Sequence, residues 1–405
     1  MLGLFSLHTT VGSMPRHLGR LGWLDNAKYL GLLLEALSMT QQLQRLEKAL
    51  QSTTDLATSI ELTARIAIVL ARLGRFEEAK AMSNALRQQH GDWRSGRIHV
   101  WIMLSEAIID WFASLNSQAL DRVTRVQALS DAMRYFEMHA IASAWKAHIQ
   151  FEISDFDGML RSIDLAFRSK TEVNHDANAR VAIVISNAFA LCGDWLSAQY
   201  WFTRGRSNSL ADGDLAGIEA LQYNRAVLSL TCLRADSCMG PIDPCRTRAV
   251  RFEIDSSRNL NILTKNSALA NHLHLAEARL LILECEFERA SLALASVRNE
   301  TPFAAYHFSQ FAIDLEISYC RFRCNLIEEA LAIFEAIDFG SFADLDIDDQ
   351  FVAAHICHEM AKVSGRFGDS NLLSERESEL SVAYSKSRAE LIAGLQRFTA
   401  ESLLA

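Results

Sequence analysis

Proline is nearly absent, 4 residues in a chain of 405, and glycine numbers only 18. Both residues break or sharply turn regular backbone, so a fold of many short strands and tight turns is disfavoured and long helices are the simplest reading. There is no uninterrupted apolar run of about 18 residues, so no membrane span is expected. The opening residues, "MLGLFSLHTTVGSMPRHLGRLGW", lack a charged start followed by a long apolar core, and a secretory signal is not expected either. Positive charge is in deficit: 40 Lys and Arg stand against 49 Asp and Glu, a net charge of -9. Nucleic acid is a poor partner for such a chain; the local cluster Arg246, Arg248 and Arg251 reads as a solvated helix face.

The motifs of common catalysis are missing as well. No phosphate loop, dinucleotide-binding glycine pattern, His-Glu-x-x-His or nucleophile elbow is found, so neither an enzyme nor a cofactor is expected. The 8 cysteines are scattered, mostly inside apolar stretches, as reduced core thiols are. That usage suits a reducing, cytoplasmic setting better than a disulfide framework.

What the sequence does contain is a repeat. In "ARLGRFEEAKAMSNAL" (71–86) Gly74 precedes Phe76 and Ala79. The same spacing recurs as Gly193, Trp195 and Ala198, and in weaker form around Ser154, Cys285 and Asn325. Seven residues before each slot lies a small side chain: Ala67, Ala147, Ser186, Ala278 and Ser318. Ala107, Ala226 and Ala361 complete the series, at spacings of 40, 40, 39, 40, 52, 40 and 43. Ala27 marks a degenerate first copy. Small residues at this spacing let the second helix of a hairpin approach the first. Gly, Asn or Ser in the slot tolerates the left-handed conformation that ends a helix.

These positions resemble the tetratricopeptide-repeat family, over roughly residues 20 to 390. The family's usual period is about 34, so a period near 40 means longer helices, similar to the elongated repeats of bacterial sensor and transcription-regulator arrays. The resemblance implies an all-α, right-handed solenoid of about eight or nine antiparallel hairpins. It would comprise an N-terminal extension (1–20), the array (21–370) and a long C-terminal helix (371–405) acting as cap or dimerisation element. The 52-residue step contains "RADSCMGPIDPCRTR" (234–248), expected as an inserted loop. In the last segment Leu380, Tyr384, Leu391, Leu395 and Phe398 share one face.

By the same resemblance, the first helix of each hairpin lines a concave groove, at positions 3 before, 1 after and 4 after the small residue. That assigns Trp111, His148, Phe151, Asn187, Tyr223, Arg279, Tyr319 and Phe322 to the groove, with Trp101 and Arg180 one turn earlier. The groove so drawn is aromatic and poor in charge, so its expected occupant is a protein or peptide segment. Longer helices could also close the superhelix so that these side chains pack on each other. Function is therefore expected to be non-catalytic: a peptide-binding scaffold or adaptor. The alternative is a sensor that holds a small molecule or signal peptide in a closed cavity and switches assembly through 371–405. Cys320, Cys324, His355 and His358 could meet across two repeats, but their spacing matches no common zinc motif, and no metal is expected. Cys238 and Cys245 flank the Gly-Pro turn of the insertion.

Overall fold

The computed structural model describes residues 41–90, 96–115, 118–169, 174–300 and 309–399; among these every regular element is helical. The N-terminal extension and Ala27 lie outside the described residues. After α1 (Gln41–Ser52), the helices come as eight consecutive pairs. The leading helices are α2 (Leu56–Arg72), α4 (Gly96–Ser114), α6 (Phe136–Glu152), α8 (His175–Leu191), α10 (Leu215–Met239), α12 (Ser267–Leu283), α14 (Gln310–Arg323) and α16 (Ile347–Val363). Each is followed by its trailing helix: α3 (Phe76–His90), α5 (Gln118–Ala132), α7 (Phe156–Arg168), α9 (Trp195–Asp212), α11 (Pro244–Thr264), α13 (Phe287–Glu300), α15 (Ile327–Glu335) and α17 (Ser370–Leu395).

Local chemistry sets the boundaries. Asp55, Asp155, Asn174, Asp194, Asp214, Asp243, Asn266, Ser309 and Asp369 each accept a backbone N–H of the helix they precede. Such a cap is worth about 1 kcal/mol. All five expected turn slots are left-handed: φ is +78° at Gly74, +60° at Ser154, +75° at Gly193, +61° at Cys285 and +63° at Asn325. The eight small residues each sit on a leading helix, and none is more than 6% exposed. Ala79, Ala198, Ala290 and Ala330, on the trailing side, are buried too. The aromatic of the slot is less buried: Trp195 is 39% exposed and Phe76 half-buried, while Phe156 and Phe287 pack against Phe151 and Tyr319.

One expectation is corrected. Residues 234–248 are not a loop: α10 runs through to Met239, α11 begins at Pro244, and only four residues separate them. Pro244 occupies the first turn of α11, where its missing N–H costs nothing. The extra residues of the 52-residue step therefore lengthen both helices of the pair.

Consecutive helices pack on each other, and leading helices also meet, α2 on α4, α6 on α8, α8 on α10 and α10 on α12. Further contacts join parts remote in sequence. The Gln42 amide donates to Gly213 O at 3.1 Å, and Arg72 of α2 pairs with Asp214 at 2.8 Å. The turn at Gly74 sits so close to α12 that a Cβ there would lie 2.4 Å from Ser267 Oγ and 2.6 Å from Ala268 N. Ser154 Oγ bonds Asp346 at 3.2 Å, and α10 packs on α16. Finally α17 folds back: it packs on α16, on α8 and on α7. Leu391, Leu395 and Phe398 join the core of the middle pairs, Trp201 Nε1 donates to Phe398 O at 2.7 Å, and Gly394 gives Leu160 room to approach. All five residues expected on one face of this segment are under 9% exposed. No helix among the described residues is long and apolar enough to cross a membrane.

Candidate functional site

Because the chain touches itself across this span, the side chains expected in an open groove are mostly interior. Trp101, Trp111, His148, Phe151, Arg180, Asn187, Tyr319 and Phe322 are all under 10% exposed, and Tyr223 and Arg279 are partly buried. Trp101 bonds Tyr135 Oη, Phe151 packs against Phe156, and Phe322 against Phe367. Tyr319 accepts a bond from Arg323 at 2.6 Å. Trp101, Phe151 and Phe322 are thus core residues, while Tyr319 lines a cleft of about 260 Å³ with Phe287, Arg323 and His355.

The polar members tell more. Two layers of charge line the leading helices. In one, Arg234 of α10 and Arg279 of α12 face Glu316 of α14 and Asp349 of α16. Arg234 reaches Asp349 at 2.7 Å and Glu316 at 2.5 Å; Arg279 reaches Glu316 at 3.1 Å and Asp349 at 3.6 Å. Two cations meet two anions, and the layer is neutral. Burial alone would raise the Asp349 carboxyl, but Arg279 and Arg234 outweigh it and hold it at about 2. Beside this quartet lies a cavity of about 150 Å³ lined by Tyr223, His272, Arg279 and Asp349 among others.

The second layer does not balance pair by pair. Trp145 of α6 is 1% exposed and lies beneath two guanidiniums, Arg180 at 3.9 Å and Arg72 at 6.0 Å. Arg72 has Asp214 as counter-ion. Arg180, 3% exposed, makes no ion pair and no hydrogen bond among the described residues, and its Nε is sealed from solvent without an acceptor. Burial, then Arg72, brings its pKa down to about 9. His148, one turn after Trp145 and edge-on to it at 5.6 Å, likewise has a buried Nδ1 with no partner. Burial and the two arginines push His148 well below its usual value, so the ring is neutral at pH 7. Burying a guanidinium without an acceptor is costly, and the Arg180 charge is eased only at a distance, by Asp214, Asp176 and Glu152.

On the same face of α6, one turn beyond His148, stands Glu152, which makes no ion pair or hydrogen bond among the described residues although it reaches solvent. Enclosure by protein, then Asp346, raises its carboxyl to about 7. Asp176, one turn before Arg180 on α8, does not pair with it either, and its carboxyl is raised by burial.

The structure thus brings His148 and Arg180 together and sets Tyr223 and Arg279 in the neighbouring cavity. It separates Asn187, which lines a different cleft of about 320 Å³ between α8–α9 and α10–α11, with Trp195, Phe202, Arg225 and Glu253. There Arg225 is satisfied by Glu253 at 2.8 Å. Trp145, Glu152, Asp346, Arg234, Glu316 and Asp349 were missed in the sequence. Glu152 was findable, since His148 and Glu152 are four apart on one helix face; Asp346 and Asp349 follow a 3-10 turn (Phe339–Asp344) that breaks the spacing. The Cys2His2 arrangement is not assembled. Cys320 lies in a core cluster, while His355 and His358 both bond Glu377, at 2.6 and 2.5 Å. Among the described residues no three His, Cys, Asp or Glu could hold a metal, and all eight cysteines are free thiols. No family model matches the chain, and no curated protein matches it.

Proposed function

We propose that the chain is an elongated tetratricopeptide-like solenoid closed by its own last helix, working as a non-catalytic regulatory module. Its ligand is a small molecule or short peptide end carrying a carboxylate, seated on Arg180 and His148 against Trp145. The observation that carries this reading is the Arg180 guanidinium, 3% exposed with no acceptor. The burial of Trp101, Trp111, Phe151 and Phe322 favours it over a peptide groove, and α17, which packs on α8 from which Arg180 projects, is the element through which occupancy would be relayed.

The test uses Arg180→Met. Removing an unpaired buried charge should stabilise the ligand-free protein by about 1–3 kcal/mol, even after the stacking on Trp145 is lost. Carboxylates that raise the melting point of the wild type should leave the variant unmoved, since only binding to the native state shifts it. If Arg180→Met is destabilised and no carboxylate shifts the wild type, the reading fails. A scaffold reading then takes its place on the 320 Å³ cleft, where Trp195 is 39% exposed and the neighbouring Leu196 and Phe252 are 70% and 73% exposed. Loss of partner capture on Phe252→Asp would favour it.

A further inference from the structure

The unpaired cation, from α8, and the unpaired anion, from α6, both lie along the Trp145–Glu152 stretch of α6. Arg180 is stacked at 3.9 Å on Trp145, and Glu152 follows Trp145 by seven residues. Seven residues of helix rise about 10 Å and return to the same face. The two charges are therefore neighbours, yet no ion pair joins them among the described residues. Arg180 stands on α8, which packs on α6, and Glu152 is at the last turn of α6. A second carboxylate reinforces the anionic end. Ser154, two residues beyond Glu152, bonds Asp346 at 3.2 Å from the turn before α16.

We propose that the ligand is a zwitterion of the α-amino acid type, its carboxylate on Arg180 and its ammonium between Glu152 and Asp346. This rests on the reading of Arg180 as the anion seat. The dimensions agree. Charge-assisted contacts take up about 2.8 Å at each end, and the two bonds from an amino nitrogen to its carboxyl carbon span about 2.5 Å. Together they span about 8 Å, against an axial rise of about 10 Å from Trp145 to Glu152. Neutral His148, with its free Nδ1, supplies a further bond to the carboxylate without adding charge. A dianion such as phosphate fits worse, because Glu152, Asp176 and Asp346 are all close by.

Titration of Glu152 adds a signature. Its carboxyl stands at about 7, facing Asp346, Arg180 and Tyr223, and an ammonium placed against it favours the ionised form. Binding near pH 7 therefore releases protons, and affinity for a zwitterion falls as pH drops below 7.

The experiment is calorimetry on the full chain with the twenty proteinogenic L-amino acids. Each amino acid that binds is compared with its deaminated acid and its decarboxylated amine. At least one amino acid should bind, tenfold or more tighter than either single-charge analogue. Glu152→Gln should erase the advantage over the deaminated acid, Arg180→Met should abolish binding, and Arg180→Lys should restore it in part. Circular dichroism checks that each variant is folded. If deaminated acids bind as tightly as amino acids, or if only they bind, the zwitterion is wrong while the anion seat stands. If Asp176→Asn rather than Glu152→Gln erases the advantage, the cationic end is misassigned. If neither amino acids nor simple carboxylates bind, both readings fall.

Discussion

Replacing Leu391, Leu395 and Phe398 together with Ala is expected to cost about 7 kcal/mol or more, comparable to the whole stability of an ordinary fold. The three side chains are 2%, 0% and 6% exposed and belong to the same core as Trp145 and Trp201. Removing them leaves Trp201 uncovered and its Nε1 bond to Phe398 O unsupported. It also undoes the approach of α17 to α7 that Gly394 permits at Leu160. The urea midpoint read by circular dichroism should fall by half or more. Leu395→Ala alone should lose about 2–5 kcal/mol. An unchanged midpoint in the triple variant would mean that the last helix is an appendage.

Second in size is the charge quartet. Glu316→Leu leaves Arg234 and Arg279 facing Asp349 alone, in a layer where Glu316 is 3% exposed. Breaking a buried network on one side typically costs about 3–5 kcal/mol. Following it with Arg234→Met should recover part of that loss, because the charges then balance again. The quartet also has a pH signature. Asp349 is held below its unfolded value, so its contribution is present above about pH 4 and lost as pH falls towards 2. The wild type should lose roughly 2 kcal/mol across that window from this group. Glu316→Leu, with fewer compensating contacts, should unfold at a higher pH. A variant as stable as the wild type would show that water already screens the layer.

Much of the architecture was written in local chemistry. Left-handed turns at Gly74, Gly193, Asn325 and even Cys285 follow from one spacing, and the burial of Ala107, Ala226 and Ala361 from stepping along it. The face of α17 was legible for the same reason, a 3.6-residue period. What was not legible is where that face goes. Periodicity shows that a helix has an apolar stripe, not which remote helix covers it, so Trp201 and Phe398 could not be paired in advance. The misread insertion has a different cause. Gly240, Pro241 and Pro244 look like a loop by composition, yet a proline at a helix start breaks nothing. As for the site, His148, Arg180, Tyr223 and Arg279 came from a positional rule about an open groove. The structure turns them inward, where Arg279 meets Glu316 of α14 and Asp349 of α16 while Arg180 and the His148 Nδ1 meet no partner among the described residues. The decisive feature, an arginine with no acceptor, is defined by what fails to meet it, and no single stretch of sequence carries that.

The central claim is that α17 docks on α7, α8 and α16 rather than standing free. Hydrogen exchange on the intact chain tests it most directly, by comparing the amides of 380–398 with those of α8. Packed against α7, α8 and α16, the amides from Leu380 to Leu395 should exchange as slowly as the buried turns of α8 and open together with them. Exchange of 380–398 at the rate of free peptide, while α8 stays protected, would contradict the docking of α17.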